Sequence, residues 1–137
     1  MFGKHLMLDM YGCDKEKLDS LDVIWNLLNK IPDMIGMHKI TQPYVFTYED
    51  ANHPDKYGIS GVVIIAESHI SIHTFPEKQF ATIDVYSCRD FEDRELIDYL
   101  IKELEADNYE KRFQIRGKNY DKKKIVLIQQ PSNSTES

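Results

Sequence analysis

The run GISGVVIIA, residues 58–66, restricts this chain more than any other stretch. Val62, Val63, Ile64 and Ile65 are β-branched in succession; their side chains fit a pleated strand and crowd the preceding turn of a helix. Apolar side chains fall on both parities, so the run predicts a central strand buried on both faces. The next residues, ESHISIHTFPE (67–77), alternate apolar and polar, which predicts a second strand after a turn or bend at Glu67. Two neighbouring strands of this kind need a larger sheet around them and helices to cover it.

The flanking sequence supplies both. Residues 5–10 read as a first strand ending at Tyr11-Gly12. Over residues 15–34, Leu18, Leu21, Ile24, Trp25, Leu28 and Ile31 recur at helical spacing and form one apolar stripe, with Pro32 predicting a stop or kink near Lys30. A short strand near 40–46 and a polar surface loop at 47–57 precede the central run. Residues 69–74 and 81–88 (ATIDVYSC) predict an antiparallel hairpin. Asp90 then caps a helix lined by Leu96, Ile97, Leu100, Ile101 and Leu104, which ends at Asp107-Asn108. Weaker strand signals lie at 112–116 and 124–129, and PSNSTES, 131–137, has too little apolar content to be ordered.

The order β-α-β-β-β-β-α-β predicts an α+β fold: a two-layer sandwich in which two helices cover one face of a mainly antiparallel sheet. One domain, residues 1–130, uses the whole ordered chain, and a homodimer is one way to cover the other face of the sheet. With a net charge of −6 and a pI near 5.3, the chain lacks the basic footprint of a nucleic-acid binder. It has neither a secretory h-region nor an apolar run of ~18 residues, so no membrane contact is expected and the cytoplasm is the expected location. Cys13 and Cys88 read as free thiols, Cys13 as a buried and inert one.

His69, Ser68, His73 and Cys88 carry the chemistry. On a strand, His69 and His73 share a face but lie ~13 Å apart at ~3.3 Å per residue, too far for one ion, so no metal site is expected. Hairpin geometry puts Cys88 opposite or diagonal to Ser68 on the same face, unless the register slips by an odd residue. Alternation puts Ser68 and His73 on opposite faces, and a bulge near Ser68 would bring them together. Spacing alone leaves both a catalytic site and a set of hydrogen-bonded sheet residues open.

The residues ESHISIHTFPE, between ISGVVIIA and ATIDVYSC, closely resemble the core of the prokaryotic S-adenosylmethionine decarboxylases, and GKHLMLDMYGCD resembles that family's opening strand. The likeness runs from Gly3 to about Tyr120. It implies a proenzyme that cuts itself between Glu67 and Ser68 into a β-chain (1–67) and an α-chain (68–137). The Ser68 oxygen would attack the Glu67 carbonyl to give an ester, and elimination with loss of ammonia would turn Ser68 into a pyruvoyl cofactor that forms a Schiff base with substrate. By the same resemblance Ser60 stabilises the oxyanion during processing and His73 removes the Ser68 α-proton, a task that suits an imidazole at neutral pH. Cys88 matches the proton donor in decarboxylation. Glu77 matches the acceptor of the substrate's ribose hydroxyls, a role for which a carboxylate offers two strong oxygens.

The chain departs from the family pattern at two places. Arg89 stands where a Gly often follows the Cys, and the loop FTYEDANHPDKYG is longer than usual, so Phe46, Tyr48 and Tyr57 are all candidates to stack on adenine. Glu49 or Asp50 in that loop could instead hold the cation of arginine or ornithine, the substrates of other pyruvoyl enzymes. A non-catalytic regulatory homologue is a third reading, against which the joint presence of Ser68, His73 and Cys88 counts. For a decarboxylase of S-adenosylmethionine, the resemblance implies a product used in spermidine synthesis.

Overall fold

A computed structural model describes residues 3–120. Six strands form one antiparallel sheet: β1 (Gly3–Tyr11), β2 (Tyr44–Tyr48), β3 (Gly58–Ile65), β4 (Ser68–Phe75), β5 (Phe80–Ser87) and β6 (Asn108–Arg116). Their spatial order is β2-β3-β4-β5-β1-β6, so the first strand is inserted beside the last. Three helices, α1 (Lys15–Leu18), α2 (Leu21–Met34) and α3 (Asp93–Leu104), pack on one face, in line with the α+β sandwich read from the sequence.

The stripe between residues 15 and 34 is broken into two helices. Asp14 caps α1 by accepting from the Lys17 amide at 3.0 Å, and Ser20 starts α2 afresh by accepting from the Val23 amide at 3.1 Å. Pro32 does not stop the helix near Lys30: α2 runs on to Met34, with the Ile35 amide still reaching the Ile31 carbonyl at 3.1 Å and Pro32 itself buried. Asp90 does not cap α3 either. Glu92 holds that position without a side-chain bond, while Asp90 Oδ1 accepts from the Phe91 amide at 2.9 Å.

Strand alternation sorts the side chains cleanly. Leu6, Leu8 and Met10 of β1, Ile59, Val63 and Ile65 of β3, and Ile70 and Ile72 of β4 face the helices and meet Leu28 and Ile31 of α2 in one core. The opposite face carries Ser60, Val62 and Ile64 of β3, so that strand is buried on one face only within the chain, and Ile64 is 44% exposed. Tyr44, Phe46 and Tyr48 of β2 continue this open face. The strand expected at 112–116 starts earlier, at Asn108, because β1 offers a nine-residue ladder for it. The strand signal at 124–129 and the polar tail at 131–137 lie outside the described residues.

Candidate active site

The β3–β4 connection is the tightest turn near the chemistry. Ile65 pairs with Ser68, leaving Ala66 and Glu67 as the only turn residues. Glu67 takes a φ of +57°, a left-handed conformation that costs a side-chain-bearing residue about 1 kcal/mol. Ser68 follows as the first residue of β4, 5% exposed and facing the helices. Its Oγ accepts a hydrogen bond from the Cys88 amide at 2.9 Å, and Cys88 Sγ donates toward the Ala66 carbonyl at 3.8 Å. Cys88 is thus drawn to Ser68 through its backbone. The register, with His69 opposite Tyr86 and Ile70 opposite Val85, sets Ser87 rather than Cys88 across from Ser68. Cys88 itself lies one residue past the end of β5, half-buried against the core.

A second group of residues sits further along β4. Ser60 and His73 are cross-strand partners on β3 and β4, with Ser60 Oγ 2.9 Å from His73 Nδ1. They line a hollow of about 310 Å³ with Tyr48, Lys56 and Phe75, and a smaller one of about 190 Å³ with Phe46, Val62 and Ser71. Glu77 lies beyond the end of β4 in a short 3₁₀ turn, Pro76–Lys78. Its two carboxylate oxygens are 3.2 and 3.1 Å from the Lys15 ammonium, which α1 brings across from the other layer.

Ser68 and His73 do not meet. No bulge interrupts β4, so the two side chains keep opposite faces, separated by five residues or ~16 Å along the strand. The aromatic candidates also divide. Phe46 stands across from Ser60 on the open face, and Tyr48 shares the His73 hollow. Tyr57 lines a separate cavity of about 610 Å³ with Glu49 and Asp50, and its hydroxyl donates to Asp19. Asp50 is taken up locally, accepting from the Asn52 amide and lying 3.0 Å from His53 Nδ1. Cys13, 0% exposed, has its thiol pushed up to about 11 by burial and by the nearby charge of Asp107.

Sequence reading missed Lys15 and Lys4, which reach the site region from 62 and 86 positions away. No local pattern marks such contacts. Among the described residues, no group of three or more His, Cys, Asp or Glu side chains is gathered to hold a metal ion, and no helix is long and apolar enough to cross a membrane.

Residues 4–117 match the family described as S-adenosylmethionine decarboxylase. The chain is 35% identical over 136 residues to the S-adenosylmethionine decarboxylase proenzyme of Aquifex aeolicus (strain VF5), spanning 98% of this chain and 89% of that protein. It is 37% identical over 117 residues to the S-adenosylmethionine decarboxylase proenzyme 2 of Bacillus anthracis, spanning 85% and 89%. The crystal structure of the adenosylmethionine decarboxylase from Aquifex aeolicus VF5 matches with a TM-score of 0.70 and 34% identity, over 84% of this chain and 90% of that one.

Proposed function

Because the chain belongs to the S-adenosylmethionine decarboxylase family, we propose that it matures by cutting itself between Glu67 and Ser68 and decarboxylates S-adenosylmethionine with the group so formed. The observation that carries this reading is the Ser68 hydroxyl, pinned by the Cys88 amide next to a peptide unit whose Glu67 holds a left-handed backbone. Attack of Ser68 Oγ on the Glu67 carbonyl carbon makes an ester bond as the Glu67–Ser68 amide bond breaks. Loss of the Ser68 α-proton then expels the Glu67 carboxylate, and hydrolysis releases ammonia and leaves a pyruvoyl group on residues 68–137. The surroundings fit that group: its precursor is the chain's own Ser68, and Cys88 lies beside it as a proton source. A pyruvoyl carbonyl supplies an electron sink for the pair left behind when carbon dioxide departs.

The chain's own residues then divide the work. Cys88 Sγ holds the proton delivered to the substrate carbon, and Glu77 accepts the ribose hydroxyls through its carboxylate oxygens. Ser60 and His73, already hydrogen-bonded to each other, act in processing. Since Ser68 and His73 of one chain are ~16 Å apart on opposite faces, a complete site calls for a second copy. A homodimer that lays the β3–β4 turn of one protomer, with Cys88 beside it, against the Ser60–His73 end of its partner would complete the site, and it would also cover Phe46 and Ile64. The two unpaired thiols support a cytoplasmic location. Its product would supply aminopropyl groups for spermidine synthesis. Asp50, already occupied by His53, is poorly placed to receive the cation of arginine or ornithine.

The test is intact mass together with carboxyl-labelled substrate. The chain of 16.1 kDa should run as two fragments and release label from S-adenosylmethionine but not from arginine or ornithine. Ser68→Ala should stay whole; a cut Ser68→Ala chain would sink the mechanism. Cys88→Ala should still cut but lose about 10²-fold in kcat, and full turnover would remove Cys88 from its role.

A further inference from the structure

We propose that Lys4 is a positioning residue for self-cleavage, holding the bend that presses the Cys88 amide onto Ser68. The inference rests on the reading of Ser68 as the internal nucleophile. Lys4 opens the ladder of β1, and its side chain is only 12% exposed. Its ammonium donates to the Phe91 carbonyl at 3.2 Å, lies 3.5 Å from Asp90 Oδ1, and sits 4.8 Å from the centre of the Phe91 ring and 5.3 Å from that of Phe113. An ammonium with so little water around it relies on these partners, and cation–π attraction strengthens as it is desolvated. Asp90 and Phe91 both belong to the segment that follows Cys88.

Backbone contacts complete the clamp. A Cβ added to Gly3 would stand 2.5 Å from the Ser87 carbonyl oxygen and 3.2 Å from Cys88 Cα, so β1 and the end of β5 touch backbone to backbone. The Arg89 amide turns back onto Ser87 Oγ at 3.0 Å. Between these contacts, the Cys88 amide reaches Ser68 Oγ at 2.9 Å. The bond selects one of three staggered rotamers for Ser68 and leaves the remaining lone pair of Oγ for the Glu67 carbonyl. Lys4 therefore acts on the first step, amide to ester, and does so without touching the reacting atoms.

The experiment follows cleavage of freshly synthesised full-length chain by intact mass, normalised to the folded fraction, with and without hydroxylamine, which cuts an ester once it has formed. Lys4→Met keeps the apolar stem and removes the charge; it should cut about 10-fold more slowly, and hydroxylamine should not restore the rate. Lys4→Arg should recover to within about 3-fold, because it keeps the charge and the ring contacts. Asp90→Asn, at a side chain 75% exposed and tolerant of change, should slow cutting about 3-fold and keeps the test open if Lys4→Met fails to fold. If Lys4→Met, or in its absence Asp90→Asn, cuts at the wild-type rate per folded molecule, the inference is overturned, and restoration by hydroxylamine overturns it equally by placing the effect after the ester. A wild-type chain that never cuts overturns the self-cleavage reading itself.

Discussion

Glu67, Gln79 and Glu105 are the non-glycine residues with positive φ among the described residues, and two of them have ordinary reasons. Gln79 closes the 3₁₀ turn after β4, and Glu105 ends α3, where left-handed residues are common. Glu67 has no helix end to serve; it is held by a two-residue connection between strongly paired strands. In an uncut Ser68→Ala background, Glu67→Gly should therefore raise the unfolding free energy by about 0.5 kcal/mol, the left-handed cost less the extra freedom glycine gives the unfolded chain. Urea denaturation measures it, and a fall in stability would mean that the turn holds Glu67 without strain. The residue was legible in the sequence as part of ESHISIHTFPE; its backbone conformation was not, because nothing local to Ala66-Glu67 asks for a left-handed residue.

At the scale of elements, both buried and exposed polar contacts pin the helical layer to the sheet. Thr74 of β4, 2% exposed, donates through Oγ1 to the Leu18 carbonyl at the end of α1 (2.8 Å) and accepts from the Ile59 amide of β3 (3.0 Å). Thr74→Val preserves shape and strands both backbone groups, so it should cost about 2–3 kcal/mol, read from the shift in denaturation midpoint at unchanged m. α3 is tied to β6 by Asp93 and Lys111 at 3.0 Å. Burial pushes the Asp93 carboxyl upward, yet the hydrogen bond and charge of Lys111, with Lys4 adding to them, leave it below the ordinary carboxylate range. A folded pKa below the unfolded one gives stability that is present above the ordinary value of ~3.9 and is lost as pH falls through the folded value. Asp93→Asn should thus lower Tm near neutrality, and the gap to wild type should close in acid. A gap that stays constant with pH would remove the ion pair as its cause.

For the whole molecule, the proposed site divides into two halves that one chain keeps apart. Ser68 and Cys88 lie at one end of the sheet, and Ser60 and His73 lie toward the other. If partners exchange these halves, Ser68→Ala and His73→Ala chains should each stay uncut alone, yet a mixture that forms heterodimers should yield fragments from the His73→Ala chain. Mass spectrometry of the mixture reads this directly. An uncut mixture would mean that each chain processes itself and that the open face is covered for another purpose.

The sequence alone determined the central strands and the hairpin of β4 and β5, and it marked Ser60, Ser68, His73, Glu77 and Cys88 as candidates, because alternation, β-branching and the ESHISIHTFPE motif are all written within a few neighbouring positions. It also marked Cys13 as a buried, free thiol. The tertiary structure decided what depends on distant pairings: the break between α1 and α2, the survival of the helix through Pro32, the release of Asp90 from capping, and the one-residue register that sets Ser87 across from Ser68. It alone brought Lys15 to Glu77 and Lys4 to the Cys88 bend. Those contacts depend on β1 lying between β5 and β6 and on α1 crossing to the far end of β4, which are consequences of sheet order and layer packing and leave no periodic trace in the chain.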